Sequence, residues 1–218
     1  MPCTETVIFD VDGLMIDSER LIFRIIQQIL RERGIAFGDE HYRPLLGMDH
    51  PQTADYVKAV TGIQDRPEEF NELYFQRFGS LLDNHLEPNP GLIPLVKELQ
   101  KRGLPLGIAS NSPSAYCRRV LKAIGLSGAF SVIAGREQVE NGKPAPDLYL
   151  LAARQLGYPP PACLAVEDSP VGMQSALNAG MRVAVINEAF ADPIFTPADG
   201  KYPSLTGLLD HLPDYLCS

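Results

Sequence analysis

Asp10 and Asp12 stand two residues apart in Phe9-Asp10-Val11-Asp12-Gly13. Three other short segments carry similar polar chemistry: Ser110-Asn111-Ser112, Gly142-Lys143-Pro144 and Glu167-Asp168-Ser169. Together they offer four carboxylates, a hydroxyl and an ammonium, a set suited to phosphoryl transfer. Asp10 and Asp168 can hold a hard divalent cation, because Mg²⁺ takes oxygen ligands and commonly uses one or two carboxylates with substrate phosphate. A free Asp10 oxygen can attack phosphorus and form an aspartyl-phosphate. Asp12 can reach the leaving group as acid and the attacking water as base. Ser110 and nearby backbone N–H groups suit phosphate oxygens, and Lys143 can offset charge and orient the nucleophile. In-line transfer depends mainly on positioning and charge neutralisation, which this set supplies.

Each segment also has an ordinary explanation. Acidic residues before glycine are common in turns. Ser112-Pro113 reads as a helix cap, and Glu167-Asp168 suits the positive end of a helix dipole. Lys143 alone is a solvated lysine. Specificity comes from the conjunction of all four segments, each placed at the end of an expected strand or in an adjoining loop. His41, His50, His85 and His211 show no metal-ligand spacing and read as surface or packing residues.

The elements that must carry these residues alternate. Short apolar runs at Thr6–Phe9, Leu104–Ala109, Phe130–Ile133, Cys163–Val166 and Val183–Ile186 show little polar alternation. That is the pattern of strands buried on both faces of a parallel sheet. Pro105 suits the start of its strand better than the interior. Helix patterns lie between the strands. One has Ser112 as N-cap and closes at Gly125, one runs from Pro146 to Gly157, and one from Ser169-Pro170 to Gly180. Proline at the start and glycine past the end is the expected asymmetry. Strand–helix alternation predicts right-handed crossovers and an α/β, doubly wound parallel sheet. Ligands bind such sheets at the carboxyl ends of the strands, where the polar segments fall.

Residues 17–87 break the alternation. Leu21, Ile22, Ile25, Ile26, Ile29 and Leu30 form a stripe at helical spacing, capped by Ser18 and stopped by Gly34. A second helix is expected over Thr53–Val60 and a third from Pro67, with Pro88-Asn89-Pro90-Gly91 marking the return. The division is a core of residues 1–16 and 88–218 and an inserted all-helical block of 17–87. The ordinary alternative is that these helices cover one face of the sheet.

Composition narrows the setting. The chain has 218 residues, 45% of them hydrophobic, and 27 acidic against 19 basic side chains. This is a globular mix, long enough for a substantial core. A net charge of −8 without a basic cluster argues against nucleic acid. No apolar run approaches the ~20 residues that span a bilayer, and the N-terminus lacks a signal-peptide pattern. The four cysteines (Cys3, Cys117, Cys163, Cys217) are scattered, and their spacing suggests neither zinc nor a disulfide framework. A cytoplasmic protein is expected, with a small phosphorylated metabolite as partner, no nucleic acid, no membrane, and nothing that demands more than a monomer.

Phe9-Asp10-Val11-Asp12-Gly13-Leu14-Met15-Ile16-Asp17-Ser18-Glu19 resembles the first motif of the haloacid dehalogenase superfamily, in the form of its phosphatase and β-phosphoglucomutase-like branch. Ala109-Ser110-Asn111-Ser112 resembles the second motif and Gly142-Lys143-Pro144-Ala145-Pro146-Asp147 the third. Val166-Glu167-Asp168-Ser169-Pro170-Val171-Gly172 resembles the fourth, and Ala176 with Ala179-Gly180 fits the helix that follows. The resemblance covers essentially the whole chain. It implies a Rossmann-like core with a helical cap, and Mg²⁺ held by Asp10, the backbone carbonyl of Asp12 and Asp168, with Glu167 close by. The aspartate at position 12 points to phosphoryl transfer, since the dehalogenase branch uses another residue there.

The core motifs do not separate a phosphatase from a phosphomutase. The mutases carry a histidine in the first cap helix, where this chain has Ile22. They also carry a lysine and an arginine in the cap loop, where Leu45-Leu46-Gly47-Met48-Asp49-His50 has Leu46 and His50 instead. A cap without those cations is poorly equipped to hold a second phosphate, so hydrolysis is expected. Substrate selection falls to the cap loop, with Asn111 and Ser110 on the core and Gly47, Met48 and His50 on the cap; a surface turn is the ordinary explanation of the cap loop. The alternatives are a sugar phosphomutase and a non-catalytic domain phosphorylated on Asp10.

Overall fold

The computed structural model describes residues 3–45, 50–63, 69–70, 73, 76–79 and 86–216. The chain divides into two compact units, Met1–Ile16 with Glu87–Ser218, and Asp17–Leu86.

In the first unit a parallel sheet contains β1 (Thr6–Phe9), β2 (Leu106–Ala109), β3 (Val132–Ala134), β4 (Cys163–Glu167), β5 (Arg182–Ile186) and β6 (Gly200–Tyr202). Their spatial order is β3-β2-β1-β4-β5-β6, the doubly wound order with its switch point at β1. β1 is central, with Val7 beside Leu106 on one side and Leu164 on the other. β1, β2 and β4 are buried throughout, as their unbroken apolar runs require. All five expected strands are present. β2 starts after Pro105, whose carbonyl accepts from Val7 N and Thr6 Oγ1. β3 starts two residues later than expected, because Phe130 leaves the strand and packs edge-on against Phe9, ring centroids 5.7 Å apart. β6 was not anticipated; Gly-Lys-Tyr has no apolar run, and only pairing with β5 makes it a strand.

The second unit contains α1 (Ser18–Arg31), α2 (Tyr42–Leu45) and α3 (His50–Thr61). The stripe on α1 is buried at Leu21, Ile25, Ile26, Ile29 and Leu30; each such side chain contributes about 1.5–3 kcal/mol. Asp17 rather than Ser18 is its N-cap, accepting from Arg20 N at 2.9 Å. Ser18 becomes the first helical residue and is buried. α3 starts three residues before the expected Thr53. The third expected helix lies partly outside the described residues. His41 is a packing residue, stacked on Phe37 and hydrogen-bonded to Tyr56 Oη at 2.9 Å.

The first unit continues with α4 (Leu92–Lys101), α5 (Ser114–Ala123), α6 (Asp147–Leu156), α7 (Pro170–Asn178) and α8 (Leu205–Asp210). α6 packs on β1, β2 and β3, and α7 on β4 and β5. Their meeting ground is a core including Ile8, Ala109, Leu148, Tyr149, Ala165, Met173 and Val183. Pro113, not Ser112, is the N-cap of α5 and makes no side-chain cap bond; the Ser112 hydroxyl is committed elsewhere. Cys3 is disulfide-bonded, contrary to expectation. Spacing along the chain does not report that its ends meet, with Thr4 N donating to Tyr215 O at 3.2 Å. Cys117 and Cys163 are buried free thiols. Among the described residues no helix is long and apolar enough to cross a membrane.

Ser169 caps α7 as the sequence predicts, its hydroxyl accepting from Gly172 N at 3.1 Å. Ser169→Ala is expected to lower stability by about 1 kcal/mol, read as a shifted urea midpoint with an unchanged slope.

Candidate active site

The polar segments converge at the carboxyl ends of β1, β2 and β4, all within the first unit. Asp10 follows β1 directly and is buried, its backbone N–H donating to Val166 O at 3.0 Å. Glu167 is the last residue of β4 and wholly buried. Between them lies the Lys143 ammonium, 2.6 Å from Asp10 Oδ1 and 2.6 Å from Glu167 Oε1, with only 4% of its side chain exposed. Burial alone would push this lysine down. The two carboxylates outweigh it and hold the ammonium charged well above the ordinary lysine range.

Two residues that the motifs did not single out support this pair. The buried Tyr149 hydroxyl donates to Glu167 Oε1 at 2.6 Å, and its ring lies 5.1 Å from Lys143 Nζ, within cation–π range. Asn187 Nδ2 donates to the Asp168 carbonyl at 2.8 Å, steadying the chain just past β4. Neither is visible from spacing, because both contacts are made across the fold.

Asp10, Glu167 and Asp168 offer carboxylate oxygens within 4.8 Å of one another. The loop after β1 passes so close to Asp168 that a Cβ on Gly13, at φ +83°, would overlap its carboxylate. Burial, then the Asp10 and Glu167 charges, push Asp168 up to about 8. Burial and Asp10 push Glu167 up to about 7, against the pull of Lys143. One ammonium does not neutralise these carboxylates. An all-oxygen cluster under such repulsion fits a hard divalent cation.

Asp12 has both oxygens engaged. Ser112 Oγ donates to Oδ2 at 2.7 Å and Tyr116 Oη to Oδ1 at 2.7 Å. Its carboxyl is raised above the ordinary range by burial and then by Asp10, while the two hydroxyls and Lys143 pull the other way. Ser110 is buried at the end of β2, its backbone N–H donating to Ala134 O and its hydroxyl accepting from Ser112 N at 3.0 Å. Burial pushes the neighbouring Cys117 thiol up to about 12, so it is an inert packing group.

Asn111, expected to contact substrate, has its side chain committed to the Lys143 backbone. Oδ1 accepts from Lys143 N at 2.8 Å, and Nδ2 donates to Lys143 O at 3.4 Å. The structure thus gives it a grip on the lysine loop. Of the residues expected on the helical unit, Gly47 and Met48 lie outside the described residues, and His50 is the first residue of α3 rather than part of a loop.

Two outcomes follow for the metal-free protein. Lys143→Ala leaves two carboxylates without their buried partner and is expected to cost about 3–5 kcal/mol in urea unfolding. The folded form also holds protons on Asp168 and Glu167 that the unfolded chain releases from about pH 4 upward. Stability should therefore fall as pH rises from there to about 8. A divalent cation bound to the folded form should restore it. Thermal melts across that window, with EDTA and with Mg²⁺, check both signs, and Asp168→Asn should abolish the Mg²⁺ response.

Known proteins resemble this chain in sequence and fold. The sequence pattern of the haloacid dehalogenase-like hydrolases matches residues 7–186. Hexitol phosphatase B of Escherichia coli K12 is 35% identical over 206 residues, covering 92% of each chain. The crystal structure of a HAD family hydrolase from Deinococcus radiodurans, with bound phosphate and sodium, superposes with a TM-score of 0.82 at 26% identity, covering 99% of this chain and 97% of that one. A β-phosphoglucomutase from Clostridium difficile shares the fold alone, with a TM-score of 0.71 at 22% identity, covering 97% of this chain and 96% of that one. With the family pattern spanning all the strands that carry the polar cluster, this chain belongs to the haloacid dehalogenase-like hydrolases.

Proposed function

We propose that this protein is a phosphatase of small phosphorylated metabolites, sugar phosphates among them, acting through an aspartyl-phosphate on Asp10. The observation that carries the reading is the Lys143 ammonium seated between Asp10 and Glu167, with Asp168 completing an oxygen cluster where the strands end. A hexitol phosphatase at 35% identity over nearly the whole chain supports the same reaction class.

Asp10 is the nucleophile. Its free oxygen attacks phosphorus in line, the bond to the substrate oxygen breaks, and Asp12 gives that oxygen a proton. Water then attacks phosphorus, the bond to Asp10 breaks, and Asp12 takes back a proton from the water. A carboxyl raised above the ordinary range suits the first role. Lys143 offsets the charge of Asp10 and orients it through their 2.6 Å contact, and the Ser110 hydroxyl and neighbouring backbone N–H groups meet phosphate oxygens. Mg²⁺ is the proposed cofactor, held by Asp10, the Asp12 carbonyl and Asp168 with Glu167 beside them; it supplies the positive charge that a phosphate requires in so acidic a site. Selection among substrates falls to the helical unit, at Gly47, Met48 and His50.

Hydrolysis is preferred to phosphoryl shuttling for a reason in the sequence. Ile22 and Leu46 stand where the mutases carry a histidine and a lysine, so the groups that would retain a bisphosphate intermediate are missing.

The test is phosphate release from a panel of sugar and polyol phosphates, with Mg²⁺ and with EDTA. Wild type should release phosphate only with Mg²⁺, and Asp10→Asn should lose at least about a thousand-fold in rate. A bisphosphate-stimulated isomer shift without net release would overturn hydrolysis in favour of the mutase reaction.

A further inference from the structure

We propose that Tyr116, together with Ser112, is the positioning device for Asp12, fixing the orientation of the carboxyl that transfers protons. The inference rests on the reading of Asp12 as the acid and base of the proposed phosphatase. Its basis is geometric: each Asp12 oxygen accepts from a different hydroxyl at 2.7 Å, Oδ2 from Ser112 and Oδ1 from Tyr116. The torsion that rotates a carboxylate about its own axis is broad and nearly two-fold. One hydrogen bond leaves that rotation loosely set, whereas one on each oxygen fixes the plane. Every carboxylate oxygen has two lone-pair sites, so the hydroxyls orient Asp12 without occupying the position of the transferred proton.

The platform presenting these hydroxyls is itself fixed. The Ser112 backbone is tied at both ends, with N donating to Ser110 Oγ at 3.0 Å and O accepting from Arg136 N at 3.1 Å. The first turn of α5 is held by Glu137, whose two carboxylate oxygens accept from Ser114 N at 3.1 and 3.0 Å. Tyr116 lies in that turn, four residues after Ser112. A negative group at a helix start is electrostatically favoured, so Glu137 anchors the element from which Tyr116 reaches Asp12. Neither Tyr116 nor Ser112 belongs to the groups assigned above to nucleophilic attack, cation binding or phosphate binding.

The consequence separates two kinds of substrate. A sugar phosphate expels an alkoxide and needs a well-placed proton in the first step. p-Nitrophenyl phosphate expels a stable anion and needs none. In the second step both proceed through the same aspartyl-phosphate and need Asp12 as base. In Tyr116→Phe the phosphorylation rate on a sugar or polyol phosphate should therefore fall about ten-fold, the effect expected from losing one hydrogen bond to a charged group. KM should stay within about two-fold, as expected when an interaction matters to the chemical step and not to ground-state binding. On p-nitrophenyl phosphate the first step should be unchanged, and a pre-steady-state burst of nitrophenol should appear because the phosphoenzyme now accumulates.

The experiment is rapid-quench and stopped-flow kinetics of wild type, Tyr116→Phe, Ser112→Ala and the double variant on both substrates with Mg²⁺. Ser112→Ala is the smaller disturbance and carries the same test should Tyr116→Phe fold poorly. Selective loss on the alkyl phosphate, with a new burst on the aryl phosphate, supports the proposal. Equal losses in the phosphorylation rate on both substrates, or none on either, overturn it and leave the phosphatase reading intact. Full turnover of the alkyl phosphate by Asp12→Asn would instead remove Asp12 as acid and base, and this proposal with it.

Discussion

An ammonium buried between two carboxylates is the constraint on which the rest of this structure depends. Lys143 reaches Asp10 and Glu167 at 2.6 Å each, in a place where all three groups are nearly cut off from water. None of them is tolerable there alone, since the cost of leaving a charge unpaired in such surroundings is several kcal/mol. Their pairing requires three separate parts of the chain to meet: the end of β1, the end of β4 and the loop before α6. The parallel sheet meets this demand. It sets β1 beside β4 with Phe9 opposite Val166, so Asp10 and Glu167 emerge at the same level, while α6 packs over β1 to β3 and brings the lysine loop in from one side.

Much of the surrounding polar structure serves to hold that triad. Tyr149 contributes its hydroxyl to Glu167 and its ring to Lys143. Asn111 grips the Lys143 backbone from the end of β2. Gly13 and Gly172 leave room where any Cβ would run into the Asp168 and Glu167 carboxylates respectively. These are close approaches that only glycine permits, and Gly13 also takes a positive φ that costs other residues strain. The carboxylates of Asp10, Glu167 and Asp168 gather oxygens close enough that a divalent cation would relieve their mutual repulsion.

The sequence determined the fold class and the enzyme class. Unbroken apolar runs fixed five strands, because a strand buried on both faces has no polar alternation. Proline and glycine punctuation fixed the α6 and α7 boundaries, because those residues act on the backbone locally. Three of the four polar segments announced themselves because each directly follows an apolar run. Tertiary structure decided what depends on partners distant in the chain. It made β6 a strand by pairing alone, gave the cap of α1 to Asp17, and turned Ser112 from an expected helix cap into a donor to Asp12. It set Asn111 as a brace on the lysine loop, and recruited Tyr116, Tyr149 and Asn187, which no local pattern marks. The division has one physical reason. Backbone preference and burial act between neighbours and can be read along the chain, whereas a hydrogen-bond partner for a buried polar atom is chosen in space.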